Sequence, residues 1–235
     1  MTDQNQSPRP QLVGRDFLAS ENFHEQVAAR APGAHLLSEA ELVRSLQATL
    51  DERPEAGDGV WIFAYGSLIW SCPLIVSTQR VAEIRGWHRA LCLNNVIGRG
   101  SPEIPGLTMA LEGGGQCTGI AMHVPEDTLA SELAILWRRE MILGSYRPQW
   151  VEVCDAEGMV FGSAITFAVN DGSEEYIKGI SYAEVVNRMA TASGLLGSSA
   201  DYLFQTLSGL NAEGVEDPDL DKLVKAVKRA MAQTR

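Results

Sequence analysis

A glutamate lies on the apolar face of a predicted helix, where its carboxyl group could transfer protons. The helical pattern over residues 129–143 places Leu129, Leu133 and Leu136 on one face, through steps of four and three. At about 100° per residue, Glu140 falls about 20° from Leu129 around the helix axis, near the middle of this face. A fully solvated glutamate is not expected at that position.

Two effects should raise the pKa of Glu140. It belongs to the last turn of the predicted helix, where the negative end of the helix dipole disfavours a carboxylate, and partial burial disfavours the charged form further. Such a carboxyl group is suited to general acid/base catalysis. The same spacing also fits a structural role, in which Glu140 lies at an exposed edge or pairs with an arginine such as Arg147 or Arg85. Periodicity alone does not decide between these roles.

A tight turn after a buried strand is a second feature that could belong to a functional site, because its backbone amides could bind an anion. Residues 60–70, VWIFAYGSLIW, are almost continuously apolar except for Gly66 and Ser67, which predicts a strand that runs into a turn. Successive amides between Tyr65 and Leu68 could bind a carboxylate or a developing oxyanion, and Gly66 would allow close approach. The alternative is a β-bulge or bend in a core strand. No GxSxG pattern surrounds Ser67, so a hydrolase nucleophile is not supported.

Several short β runs must form the sheet that carries this turn. Strand-like runs occur at 81–85 and 89–94, and residues 108–124 are interpreted as two strands joined through Gly113-Gly114-Gly115. A further pair, WVEVCD and MVFGSAITFAV, flanks residues 156–158. Short turns between neighbouring runs favour antiparallel pairing over alternating βαβ units.

Helices are predicted before, within and after the β region. The capping-box pattern Ser38-Glu39-Ala40-Glu41 begins a helix that should end near Pro54. A second capping box, Ser181-Tyr182-Ala183-Glu184, opens a region predicted to be all helical, including a helix start at Asp217-Pro218. The first dozen residues are polar and contain two prolines, so we expect a loose tail there.

The composition indicates a globular protein and argues against some partners. Of the 235 residues, 45% are hydrophobic and 21% are charged, enough to bury a sizeable core. A formal net charge of −11 leaves no basic surface for nucleic acid or anionic lipid. No apolar run approaches the roughly 20 residues of a spanning helix, and the start lacks the apolar centre of a signal peptide. We therefore expect a cytoplasmic protein without nucleic-acid or membrane partners.

Neither the cysteines nor the histidines show the spacing of a metal site. The cysteines form no CxxC pair and are expected to be buried, reduced thiols, while the histidines form no HExxH or paired pattern. These residues are Cys72, Cys92, Cys117 and Cys154, and His24, His35, His88 and His123. We expect no metal ion, and the oligomeric state is not predicted.

Five ordered blocks between residues 59 and 206 resemble the ChaC family of glutathione-specific γ-glutamylcyclotransferases. The blocks are VWIFAYGSLIW, GWHRALCLNN, RGSPEIPGLTMALEGGGQCTGIAMHV, LWRREMILGSYRPQWV and DYLFQT. The preceding residues carry no motif of the family. We therefore expect a ChaC-like domain over residues 59–235, preceded by an N-terminal tail and helical extension over residues 1–58.

This resemblance implies a fold and an activity. The implied fold is α+β, with a mixed, mostly antiparallel, barrel-like sheet and surrounding helices. The implied reaction is cleavage of glutathione by intramolecular cyclisation to 5-oxoproline and Cys-Gly, without a cofactor. Two alternatives stay open, namely a cyclotransferase for another γ-glutamyl peptide or a γ-glutamylamine, and a regulator that binds such a ligand without catalysis.

The resemblance also assigns residues to the site. The catalytic glutamate of the family, which ends the WRRE block, corresponds to Glu140. The loop that holds the γ-glutamyl group corresponds to Ala64, Tyr65, Gly66, Ser67 and Leu68.

Three further residues are candidates for the substrate pocket. Tyr146 and Tyr202 match aromatic positions of the family, and either one could equally be a half-buried tyrosine whose hydroxyl group is satisfied. Arg99 is a candidate partner for a substrate carboxylate, although a surface-loop arginine is an equal alternative.

Overall fold

Five β-strands close into a barrel in the computed structural model, which describes residues 13–54 and 57–233. Around the barrel the strands follow the order β1-β3-β2-β4-β5. They are β1 (Gly59–Ala64), β2 (Thr78–Asn95), β3 (Gly106–Pro125), β4 (Tyr146–Cys154) and β5 (Val160–Val169). The tail expected over the first dozen residues lies outside the described residues.

Most strand pairs are antiparallel, and β5 supplies the parallel ones. The antiparallel pairs are β1 with β3, β2 with β3, β2 with β4 and β4 with β5. Strand β1 lies between β3 and β5 and is parallel to β5. Beyond the end of β1 at Ala64, β3 reaches β5 directly, with Leu111 opposite Ala168. The α+β prediction of a mixed, mostly antiparallel barrel is confirmed.

Strands β2 and β3 are longer than the sequence pattern predicts. The runs at 81–85 and 89–94 belong to the single strand β2, and residues 108–124 belong to the single strand β3. The prediction of two strands joined through the glycines is therefore wrong. Gly114 and Gly115 adopt φ values of +100° and +74°, where β3 bulges while it stays paired with β2. Such an irregularity bends a strand pair without ending it, as closure of a barrel requires.

Seven helices flank the barrel in the described part of the chain. They are α1 (Arg15–Leu18), α2 (Phe23–Arg30), α3 (Glu39–Asp51), α4 (Leu129–Met141), α5 (Tyr182–Thr191), α6 (Ser199–Ala212) and α7 (Pro218–Gln233). The capping box of Ser38 and Glu41 is confirmed at the start of α3. At α5 only half of the second box forms, because Ser181 caps the helix while the Glu184 carboxylate binds Arg188.

The region after residue 181 is not entirely helical. A short hairpin of β6 (Ser193–Gly194) and β7 (Gly197–Ser198) separates α5 from α6. Helix α7 begins at Pro218 as predicted, and the Asp217 side chain accepts a hydrogen bond from the backbone N–H of Leu220.

The N-terminal helices share the hydrophobic core of the barrel. Leu18, Phe23 and Leu42 are buried in the same cluster as the strand residues. Helix α1 is also tied to α4, because Arg15 pairs with the buried carboxylate of Glu132 at 2.6 Å. The division into an extension and a domain at residues 58 and 59 stays a prediction.

The expected burial of the cysteines is confirmed at three of the four positions. Cys92, Cys117 and Cys154 are buried and free as expected, whereas Cys72 is exposed, because it lies in the loop after the turn rather than on a strand. Within residues 13–54 and 57–233, no helix is long and apolar enough to cross a bilayer.

Candidate active site

Glu140 lies on the face of helix α4 that packs against the barrel. Leu129, Leu133 and Leu136 are all buried against the core, as the helical spacing predicts. Glu140 lies on the same face in the last turn, and 12% of its side chain is exposed. The apolar packing of α4 therefore holds a carboxyl group in a largely water-free position.

Glu140 is paired with the residue that precedes it. Arg139 donates from Nε to Glu140 Oε1 at 3.1 Å. The arginines considered from the sequence do not take this role, since Arg147 is exposed and Arg85 pairs with Glu83. Burial raises the pKa of Glu140, and the charge and hydrogen bond of Arg139 oppose this effect without cancelling it.

The turn that follows β1 lies beside this carboxyl group. A single 3₁₀ turn spans Ser67–Ile69, closed by a hydrogen bond from the N–H of Ile69 to the carbonyl of Gly66. The position of Gly66 is crowded, because a Cβ atom there would lie 3.3 Å from the hydroxyl oxygen of Tyr202. A larger residue would require that hydroxyl group to shift by a few tenths of an ångström.

Tyr146 and Tyr202 meet at the backbone of Met109. The hydroxyl of Tyr146 donates to the Met109 carbonyl at 2.8 Å, and the hydroxyl of Tyr202 accepts from the Met109 N–H at 3.1 Å. Both hydroxyl groups therefore have a hydrogen-bond partner, and Tyr202 is buried rather than half-buried. A role of either tyrosine in binding substrate stays a prediction. Burial raises the pKa of Tyr202 to about 12 and that of Tyr146 well above its ordinary value.

A small pocket forms where β1 ends and β3 meets β5. Its lining consists of Tyr65, Gly66, Ser67, Leu68, Met109, Glu140, Tyr146, Phe167 and Tyr202. Seven of the nine residues nominated from the sequence are thus brought together. Ala64 is fully buried directly before the pocket rather than in its lining.

Arg99 lies beside Tyr202 and not on the surface. It is buried, and its guanidinium lies 5.7 Å from the ring centres of both Tyr202 and Trp70. It is not among the residues that line the pocket. Its suggested role as the partner of a substrate carboxylate stays a prediction.

Sequence reasoning did not nominate Met109, Phe167 or Arg139. Met109 and Phe167 carry no distinctive motif, and they take part through backbone groups that hydrogen-bond to tyrosine hydroxyls. Arg139 directly precedes Glu140, and neighbours on a helix normally point about 100° apart. One signal was available for Arg139, namely its position inside the WRRE block.

The arrangement is suited to proton transfer in a confined, mostly apolar space. Glu140 supplies a carboxyl group with a raised pKa, and burial raises the pKa values of the Tyr65, Tyr146 and Tyr202 phenols above their ordinary value. Among the described residues, no group of three or more His, Cys, Asp or Glu side chains could hold a metal ion.

Comparison with known proteins gives one family and several similar chains. Residues 60–230 match the model of the family described as ChaC-like protein. A glutathione-specific gamma-glutamylcyclotransferase of Escherichia coli (strain K12) is 40% identical over 223 residues, which cover 94% of this chain and 95% of that protein. The human glutathione-specific gamma-glutamylcyclotransferase 1 is 28% identical over 183 residues, covering 75% and 81% of the two chains.

A solved structure agrees with the fold described above. The crystal structure of a yeast gamma-glutamyl cyclotransferase specific to glutathione superimposes with a TM-score of 0.67 and 18% sequence identity, covering 74% of this chain and 97% of that one. At this identity the likeness concerns the fold alone. Together with the family match over residues 60–230, it accounts for both the barrel and the motif blocks, and the chain belongs to the ChaC-like protein family.

Proposed function

We propose that this protein is an enzyme that cleaves glutathione by intramolecular cyclisation, with Glu140 as general acid and base. The observation that carries the proposal is that the Glu140 carboxyl group and the turn from Tyr65 to Leu68 line the same small pocket. The choice of glutathione is supported by the activity named for the relative from Escherichia coli.

The proposed reaction needs no oxidant, reductant or water. The α-amine of the γ-glutamyl group attacks its own γ-carbonyl carbon, so that a five-membered lactam forms as the bond to the cysteine nitrogen breaks. Glu140 takes a proton from the α-ammonium group and returns it to the departing nitrogen. The attacking nitrogen loses a second proton as the lactam forms, and the departing amine takes it up, so that Cys-Gly leaves with a protonated amino group. The products are 5-oxoproline and Cys-Gly, and the carboxyl group ends in its starting state.

The raised pKa of Glu140 supports both proton transfers. Burial raises the pKa of this carboxyl group, so its carboxylate is a stronger base than a solvated one, and its protonated form is an acid that can donate to the departing nitrogen. General acid/base catalysis of this kind contributes about 10²- to 10⁴-fold in rate.

The turn is proposed to hold the γ-glutamyl group in the conformation that cyclises. The pocket is lined by Tyr65, Gly66, Ser67 and Leu68 together with Glu140, which is the charged residue in that lining. Their amides would bind the substrate carboxylate or the oxyanion. Intramolecular positioning can contribute up to about 7–11 kcal/mol, so the turn is expected to matter as much as the proton transfers.

The cytoplasmic location expected from the sequence is also part of this proposal. Cys92, Cys117 and Cys154 are free and buried, as is typical of proteins in a reducing compartment.

The direct test is to incubate the purified protein with glutathione, without added metal, and to measure 5-oxoproline and Cys-Gly. Equal amounts of the two products are expected. Glu140→Gln keeps the size of the side chain and loses its basicity, so it should lower kcat by about 10²-fold or more. The matched control is Glu152→Gln, on an exposed position of β4, which should keep wild-type turnover.

Other results would change the proposal in defined ways. Product from a different γ-glutamyl peptide or a γ-glutamylamine, with none from glutathione, would assign another substrate to the same chemistry. Binding of glutathione without any product would indicate a regulator. Wild-type turnover by Glu140→Gln would exclude the role given to Glu140.

A further inference from the structure

Arg139 connects the two halves of the candidate site. Only 5% of its side chain is exposed. Its Nε atom donates to Glu140 Oε1 at 3.1 Å, its Nη2 atom donates to Ser67 Oγ at 3.1 Å, and its Nη1 atom donates to the backbone carbonyl of Ser71. One guanidinium group therefore joins α4 to the first residue of the 3₁₀ turn and to the segment that follows it.

These three hydrogen bonds use the shape of arginine. The guanidinium group is planar, and its three nitrogen atoms donate in fixed directions, so it can hold three acceptors in one arrangement. A lysine has one nitrogen on a flexible stem and cannot fix the same three acceptors together. The contact depends on shape as well as on charge.

We infer that Arg139 is a positioning residue, which fixes the carboxyl group of Glu140 relative to the turn from Tyr65 to Leu68. The geometric part of this inference stands on the hydrogen bonds alone, and its catalytic consequence rests on the proposed function. Without Arg139, the carboxylate would keep its place on α4 but lose its fixed orientation toward the turn.

Arg139 is the charged residue that shifts the pKa of Glu140, and the other groups that interact with Glu140 are phenols and a thiol. Tyr65 after β1, Tyr146 on β4 and Tyr202 on α6 interact electrostatically with Glu140, and burial raises their pKa values further above the ordinary value of a phenol. Although Cys72 is exposed as a residue, partial desolvation of its sulfur atom raises the pKa of the thiol, and the carboxyl group of Glu140 acts in the same direction. Arg139 lowers the pKa of Glu140 against the larger effect of burial.

The first test measures the titration of Glu140 by ¹³C NMR of labelled glutamate carboxyl groups, with Glu140→Gln used to identify the signal. Arg139→Gln removes both the charge and the hydrogen bonds, so the pKa of Glu140 should rise further. Arg139→Lys keeps the charge and should give a smaller rise. Because the titration needs no turnover, it tests the inference whatever the substrate is. An unchanged titration in Arg139→Gln would overturn the inference.

The second test separates kcat from KM across a range of pH. Since small misplacements of reacting groups cost about 10²-fold in rate, Arg139→Lys should lower kcat about 10- to 100-fold with a smaller change in KM. In Arg139→Gln the acid limb of the kcat/KM profile should also move to higher pH. Should Arg139→Gln not fold, Arg139→Lys carries the test in both measurements.

Arg138 provides the matched control on the same helix. Its side chain points to the other side of α4, where it contacts Glu39 and the carbonyl of Leu18. Arg138→Gln should keep the wild-type acid limb and kcat. Wild-type kcat and an unmoved acid limb in Arg139→Gln would overturn the inference while leaving the proposed function intact. Absence of product from the wild-type protein would count against the proposed function only.

Discussion

The phenolic hydroxyl of Tyr65 donates a 2.6 Å hydrogen bond to the backbone carbonyl of Phe167. This bond joins the residue after β1 to β5 across 102 positions of the chain, inside the pocket that contains Glu140. It fixes the start of the turn to the barrel wall at the point where β1 ends. The pocket therefore depends on barrel closure for its shape.

Tyr65→Phe should destabilise the protein, because it leaves the buried carbonyl of Phe167 without this donor. Loss of a partner for a buried polar group costs about 1–3 kcal/mol of the free energy of unfolding. Urea denaturation measures this loss. The control is Tyr182→Phe, at a position that is 50% exposed, where little change is expected. Equal effects at the two positions would contradict the prediction.

Gly66→Ala should lower kcat/KM by displacing the hydroxyl of Tyr202. The added Cβ would lie 3.3 Å from that oxygen, which accepts the hydrogen bond from the N–H of Met109. Adding Tyr202→Phe removes the close contact, so the effects of the two substitutions should not add. Steady-state kinetics of the single and double variants measure the coupling. Gly113→Ala is the control, because its Cβ would meet nothing within 4 Å.

Arg89 is expected to stabilise the start of the turn through the backbone carbonyl of Tyr65. Its Nε donates to the carbonyl of Tyr65 at 2.7 Å, its Nη2 donates to the carbonyl of Thr118 at 2.7 Å, and its Nη1 pairs with Asp217. The Arg89 side chain is 9% exposed, and breaking a buried pair costs about 3–5 kcal/mol. Arg89→Met should therefore lower the free energy of unfolding by an amount in this range.

A double-mutant cycle with Asp217→Asn separates the ion pair from the two carbonyl contacts of Arg89. The exposed pair of Lys225 and Asp221 on α7 is the control. Its coupling should be about 0.3–0.5 kcal/mol, as for other exposed helix pairs. A coupling no larger than this between Arg89 and Asp217 would show that the buried pair contributes little.

Glu140 should make the protein less stable as pH rises above about 4.5. Burial holds its folded-state pKa above the ordinary value of 4.5, so the folded state binds more protons than the unfolded state between those two values. The free energy of unfolding then falls through this window and stays lower above it. Glu140→Gln does not titrate, so its stability relative to wild type should increase with pH across the window. Urea denaturation at a series of pH values measures the difference.

Glu132, on the same helix, should show the opposite sign. The hydrogen bond from Arg15 is the main cause that lowers its pKa below the ordinary value. The stability contributed by its carboxylate is therefore present above pH 4.5 and is lost as pH falls through the folded-state pKa. The advantage of wild type over Glu132→Gln should grow with pH in this lower window. If the stability differences between wild type and the two variants, Glu140→Gln and Glu132→Gln, changed with pH in the same direction, the opposite pKa shifts given to the two carboxyl groups would be contradicted.

The local elements were largely predictable from the sequence, whereas long-range strand pairing was not. Helix α4, the cap at Ser38 and the strand before Tyr65 follow from residues a few positions apart. The sequence pattern predicts the end of a strand at the glycines 113–115, because a bulge and a turn have similar local composition. Only pairing of β3 with β2 on both sides of the bulge distinguishes the two.

Glu140 and the turn can be nominated from the sequence because each has a local signal. The sequence alone shows both patterns, namely a carboxylate on an apolar helix face and a glycine-containing turn after a buried strand. Arg139 was missed because its hydrogen bonds to Ser67 and Ser71 depend on where the turn lies relative to α4. Arg99 was treated as a possible surface residue, and the fold buries it beside Tyr202.

The sequence by itself determined helices such as α3 and α4, the strand before Tyr65, the buried face of α4 and the family motifs that the chain carries. Tertiary structure alone decided that the end of β1, the backbone of Met109 and the carboxyl group of Glu140 share one pocket. The physical reason is that helix faces and caps depend on neighbours within a few residues. The pocket instead requires closure of the barrel, which brings together residues about a hundred positions apart.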